Sequence, residues 1–172
     1  MVVEDLFGSS MGAVKLDILV FGPAVTPLSQ DEGTRNLQLK RQQIKNELLS
    51  AGHNVNYAED VVDPGLSAPI NNAALQEIIL MEAYDLIVVL VGSPGANAET
   101  GMISARPKLA AKASLFIDDR HLNGLVASCC QLAVLSGGAY ESYKYPQDRT
   151  KCHLLGKVKD EVTKTQIKKY LS

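Results

Sequence analysis

Leu86-Ile87-Val88-Val89-Leu90-Val91, running into Gly92-Ser93-Pro94-Gly95, decides the fold. The apolar run is strand-sized, far short of a bilayer span, and is closed by a Gly/Pro turn. It does not alternate with polar residues, so both of its faces are expected to be covered, which places a strand from Tyr84 to Val91 at the centre of a parallel sheet.

Upstream, Leu16 to Phe21 is a β-rich run ended by Gly22-Pro23, which a helix could not continue through. Arg35 to Ser50 follows as a helix with Leu37, Ile44 and Leu48 on one face, stopped at Gly52. Asn54 to Ala58 alternates as a second strand, residues 59–69 form a polar loop, and Asn72 to Glu82 supports a helix through Leu75, Ile78 and Ile79. Downstream, a helix over Asn97 to Lys112, ended or kinked near Arg106 by Pro107, leads to a fourth strand, Ala113 to Asp118. A helix over His121 to Leu135 closes at Gly137-Gly138, a fifth strand runs from Glu141 to Tyr145, and a last helix spans Cys152 to Leu171 with Leu155, Val158 and Val162 inward. Strands alternating with helices, with no tight hairpin between them, predict an α/β fold of flavodoxin/Rossmann-like type. It is a three-layer sandwich with about five parallel strands in the order 2-1-3-4-5.

The composition bounds the function. Length predicts one domain over residues 15–172 behind a flexible lead-in, residues 1–14. With 17 basic and 19 acidic residues and a net charge of −2, no overall field favours nucleic acid or an anionic membrane as partner. No secretory signal is recognisable, and the three cysteines make no disulfide framework or zinc spacing, so a cytoplasmic protein without metal or cofactor is expected. Cys129 and Cys130 read as buried core residues, and Cys152 as a surface residue at a helix start.

In a parallel sheet the ligand lies beyond the carboxyl ends of the strands, so the loops after strands one and three are the candidate cleft. Ser93-Pro94-Gly95 aims backbone N–H groups at it, Gly95 permits close approach, and Glu99 falls in the first turn of a helix beginning near Asn97, where the dipole favours its ionised form. A first-turn Glu also serves helix stability alone, and Ser-Pro-Gly is a common turn. His53 is expected to face solvent. His121 follows strand four with a cleft role open, and of Asp118-Asp119, which could bind a ribose or Mg²⁺, Asp119 is expected to cap a helix.

Leu19-Val20-Phe21-Gly22-Pro23, the helix end Ala51-Gly52-His53, Asp85 at the start of strand three and Gly95-Ala96-Asn97-Ala98-Glu99-Thr100-Gly101 resemble the nucleoside 2-deoxyribosyltransferase family. Its pattern is an A-G-P loop after strand one and a G-T-x-x-E-L-G turn after strand three. The same turn resembles the lysine-decarboxylase-like phosphoribohydrolases, and the likeness covers residues 16–118. It implies N-glycosidic cleavage of a nucleoside, nucleotide or NAD-like substrate, with Glu99 the carboxylate nucleophile at the anomeric carbon and Gly22, Pro23 and Gly95 shaping the pocket. Glu77 stands where an acidic residue contacts the base, and Ser93 and Asn97 join the substrate-binding set. Ala96 replaces the family Thr and Ser93 an acidic residue. A hydrolase, or a non-catalytic nucleotide sensor using the same cleft, is therefore as compatible as a transferase. The related families complete their clefts across subunits, which with the Ala- and Leu-rich helices implies a homodimer or larger assembly. Residues 142–152, with Tyr143, Tyr145, Asp148 and Arg149, are either a flap over the pocket or an ordinary polar loop.

Overall fold

The computed structural model of the protein describes residue 12, residues 14–144 and residues 152–172; most of the expected lead-in, and Tyr145, Asp148 and Arg149, lie outside the described residues. Five strands, β1 (Asp17–Phe21), β2 (Asn54–Tyr57), β3 (Leu86–Val91), β4 (Ala113–Asp118) and β5 (Ala139–Tyr143), pair in parallel in the order β2-β1-β3-β4-β5. Every residue of β3 and β4 is buried. These are the interior strands whose apolar runs show no alternation, as burial on both faces requires.

Among the described residues seven helices flank the sheet: α1 (Glu32–Ser50), α2 (Ala58–Val61), α3 (Ala73–Ala83), α4 (Pro94–Ser104), α5 (Pro107–Ala110), α6 (Leu125–Leu135) and α7 (His153–Leu171). Successive strand residues point to opposite faces and so divide two cores. Ile18, Val20, Leu86, Val88 and Leu90 pack with Ile44 and Leu48 of α1 and Leu154, Val158 and Val162 of α7. Leu19, Phe21, Ile87, Val89 and Val91 pack with Met81 of α3, Ala96 and Ile103 of α4, and Ala127, Cys130 and Ala133 of α6. The result is the expected three-layer sandwich.

Several boundaries moved for local reasons. α4 begins at Pro94, because Ser93 caps it by accepting the Ala96 N–H at 3.2 Å and proline suits the first helical position, where no N–H is needed. Pro107 does end this helix, and the chain restarts as the single turn α5. Asp118, rather than Asp119, accepts from the Arg120 N–H and closes a 3-10 turn over Asp119–His121, so α6 starts only at Leu125. On α3 the buried positions are Gln76 and Met81, whereas Leu75 and Ile79 face outward. On α7 Leu154 is buried and Leu155 only half so.

Candidate functional site

β1 and β3 are neighbours whose following helices lie on opposite faces of the sheet, so a crevice opens over their carboxyl ends. Each strand leaves through a glycine with positive φ, Gly22 at +154° and Gly92 at +155°. A Cβ on Gly92 would sit 2.9 Å from Leu37 Cδ1, and one on Gly22 3.2 Å from Arg41 Cδ, so both turns are tight as well as conformationally restricted.

Glu99 lies in the second turn of α4, one turn beyond Gly95, and its Oε1 is 3.8 Å from where a Gly95 Cβ would be. Helical side chains lean toward the N-terminus, which returns this carboxyl toward the crevice. Oε2 is buried without a hydrogen-bond partner. Burial, helped by the negative charges of Glu77 and Glu59 and opposed by Arg41, pushes the Glu99 pKa up to about 8. The ionised resting form expected from a first-turn position is thus corrected. With the helix starting at Pro94, Glu99 is past the reach of the dipole, and desolvation acts instead. Glu77 on α3 is likewise raised, by burial and then by Glu59.

The opposing wall is built by polar residues on the inner face of α1. Arg41 is fully buried; Nη1 donates to Pro23 O at 3.1 Å and Glu59 Oε1 at 2.6 Å, and Nη2 donates to Val20 O at 2.6 Å and Glu59 Oε2 at 2.7 Å. Its guanidinium also lies 4.2 Å from the centre of the Tyr57 ring. Three helical positions earlier, Gln38 donates to Ala24 O and Pro27 O and accepts from Ser29 N. These two residues fix the loop between β1 and α1, the Gly22-Pro23 corner included. Neither Arg41 nor Glu59 was singled out from the sequence. The available signal was spacing, because Arg41 falls in register with Leu37, Ile44 and Leu48, and a charge on an apolar stripe needs buried partners.

Glu99, Glu77, Gly95 and the Gly22-Pro23 corner therefore gather on one side of α4, with Arg41 and Glu59. Asn97, two residues and about 200° from Glu99 around the helix, faces the other way. It lines a cavity of about 260 Å³ with Val91, Gly92, Ile117, His121, Asn123 and Leu125, and its Oδ1 is buried without a partner. A second cavity of about 150 Å³ adjoins across Val91, Gly92 and His121, walled by α1 and the ends of β4 and β5. Ser93 acts as a helix cap.

His53 is buried, not solvent-facing; its Nδ1 accepts from Leu16 N at 3.3 Å, and burial lowers its pKa. Cys130 is buried while Cys129 and Cys152 are half-buried, and all three are free thiols. Among the described residues no group of three or more His, Cys, Asp or Glu side chains is placed to hold a metal ion, and no helix is long and apolar enough to cross a membrane.

Fold and site together define a Rossmann-like α/β protein with a buried acidic centre at its topological switch point. The model of the STM3845 retron effector protein family matches residues 37–125, just over half of the chain, and the chain belongs to that family. No curated protein matches it. The matched segment contains Arg41, Glu59, Glu77, Asn97 and Glu99, and so nearly the whole acidic centre.

Proposed function

We propose that the protein cleaves an N-glycosidic bond of a nucleoside, nucleotide or NAD-like substrate, as a hydrolase or ribosyltransferase, with Glu99 as the reacting carboxyl. The observation that carries this reading is the state of Glu99: a buried carboxyl with one unpartnered oxygen and a pKa of about 8, at the crevice where a parallel sheet binds ligands. A structural helix glutamate would be solvated or paired.

Burial keeps Glu99 mostly neutral at pH 7. Positive charge on the bound substrate, such as a pyridinium ring, stabilises the carboxylate, and its proton passes to water, from which a base that leaves as an anion is reprotonated. The anion then attacks the anomeric carbon, the base departs with the bonding pair, and water or a second acceptor resolves the glycosyl ester. Arg41 holds the Gly22-Pro23 corner against this carboxyl and, with Glu59, sets the field around it. As a retron effector family member, the protein would exert this activity in the defence context that the family name implies.

The test is incubation with a panel of nucleosides, nucleotides and NAD, following released base by chromatography, for wild type and Glu99→Gln. Release by wild type alone is the expected result; release by neither, with thermal stabilisation by one nucleotide, would replace the enzyme with a nucleotide sensor using the same cleft.

A further inference from the structure

The two cavities flanking Gly92 lie outside the acidic centre. Of the four buried side-chain atoms without a hydrogen-bond partner among the described residues, one belongs to each cavity wall: the donor Asn36 Nδ2 on the α1 side and the acceptor Asn97 Oδ1 on the α4 side. Buried polar groups cost free energy unless satisfied, and these two belong to residues in the walls of adjoining cavities, where a turn of either amide would bring it to a bound ligand.

The walls differ in chemistry. The α1-side cavity brings together Lys40, which is 5% exposed, Arg120, Asn36, His121, Thr34 and Tyr143, all able to donate. Its two carboxylates are already engaged. Asp31 accepts from Thr34 N at 2.8 Å as the α1 cap, and Asp118 grips Arg120 through Nε at 3.0 Å and Nη2 at 2.7 Å, which holds the guanidinium at the wall. The α4-side cavity mixes the apolar Val91, Ile117, Leu125 and Val126 with His121 and the amides of Asn97 and Asn123. Donors around a small cavity suit a phosphoryl group, and apolar walls with a pair of amides suit a planar heterocycle.

We propose that the α1-side cavity is a phosphoryl-binding subsite built by Lys40, Arg120 and Asn36, with the heterocycle of the same ligand lodged against Asn97 and Asn123 across Gly92. The ligand is then a nucleotide rather than a nucleoside. Reaction at Glu99 would further require the ligand to extend past Gly95 to the other side of α4, since Glu99 lines neither cavity. Only that last step rests on the proposed function; the subsite itself does not.

The test is calorimetric titration of wild type with matched pairs, adenosine against AMP and cytidine against CMP, and with a 5′-phosphorylated oligodeoxynucleotide against its 5′-hydroxyl twin. A monophosphate should bind at least tenfold more tightly than its nucleoside, and a preference confined to the oligonucleotide pair would identify a strand end as the phosphoryl source. Arg120→Gln, at a half-exposed side chain, and Lys40→Met should each erase the preference while leaving nucleoside binding within twofold. Equal binding within every pair, no binding of any probe, or a preference that survives both substitutions would overturn the subsite. Base release at equal rates from nucleoside and nucleotide would also overturn it while sparing the glycosidase reading. Phosphate-dependent binding without base release would do the reverse.

Discussion

Glu99 carries its chemistry through its surroundings, and those surroundings set a pH signature. Its folded pKa, about 8, lies above the ordinary 4.5, so between these values the folded state holds a proton that the unfolded chain has lost, and stability falls as pH rises through that window. Glu99→Gln removes this penalty. The variant should gain about 1–2 kcal/mol at pH 8 and nothing at pH 4, measured by urea titration, while base release drops on the order of 10²–10⁴-fold. Wild-type kcat/KM should climb with pH toward about 8, since the anion is the reacting form; a profile that falls over the same range would make Glu99 a proton donor instead. His53 works with the opposite sign. Its lowered pKa makes its contribution present above about 6.5 and lost as pH drops further. Arg41 supplies a second test at this scale. Arg41→Met leaves Glu59, Val20 O and Pro23 O without their donor and should cost about 3–5 kcal/mol, whereas Arg41→Met with Glu59→Gln should recover part of that loss in a double-mutant cycle. The motif around Glu99 was legible in the sequence. Its protonation was not, because the burial that raises its pKa, and the Glu77 and Glu59 charges that add to it, arrive from other elements.

At the scale of elements, the strand-turn-helix from Leu86 to Ser104 shows how much local chemistry decides. Gly92→Ala meets both a φ of +155° and a Cβ 2.9 Å from Leu37 Cδ1, so a loss of about 1–3 kcal/mol is expected, only partly relieved by Leu37→Ala, in thermal melts of the single and double variants. Ser93→Ala removes a cap and should cost about 1 kcal/mol with activity retained, which separates capping from substrate binding. The elements themselves were readable because periodicity and Gly/Pro punctuation are local. α4 starts three residues before the expected Asn97 because Ser93-Pro94, a common turn, is equally a helix start, with Ser at the cap and Pro at the first helical position. His53 escaped for a different reason: a buried histidine accepting from Leu16 N is the product of β1 lying beside its neighbour, which no local pattern encodes.

For the whole molecule, strand order followed from the alternation of elements together with the crossover rule, and it is the part of the fold most fully legible in the sequence. The cavities flanking Gly92 were not legible, since their walls come from α1, α4, α6, β4 and β5 at once. Association between copies belongs to this scale. On α6, Leu125 and Leu135 are 80% and 83% exposed, with Leu132 and Val134 beside them, an apolar surface that a lone domain rarely leaves bare. A dimer mass in light scattering at micromolar concentration is the expected result, shifted to monomer by Leu132→Lys with Leu135→Lys; a monomeric wild type would remove the expectation.

The position of β1 between β2 and β3 bears on how the chain acquires its shape. Val20 pairs with Tyr57 on one side and with Val88 on the other, so the first strand made must wait for partners that come much later in the sequence. Parallel pairings of this kind close long loops before any contact rewards them, which slows folding toward the millisecond-to-second range and leaves β-edges open meanwhile. Residues 37–125, the segment shared with the family model, contain β2, β3 and β4 but not the strand that joins β2 to the others. Cut out alone, that segment keeps Glu99 and most of its neighbours, yet β2 has nothing to pair with, so the chemistry cannot be separated from the 83 residues that the family match leaves out.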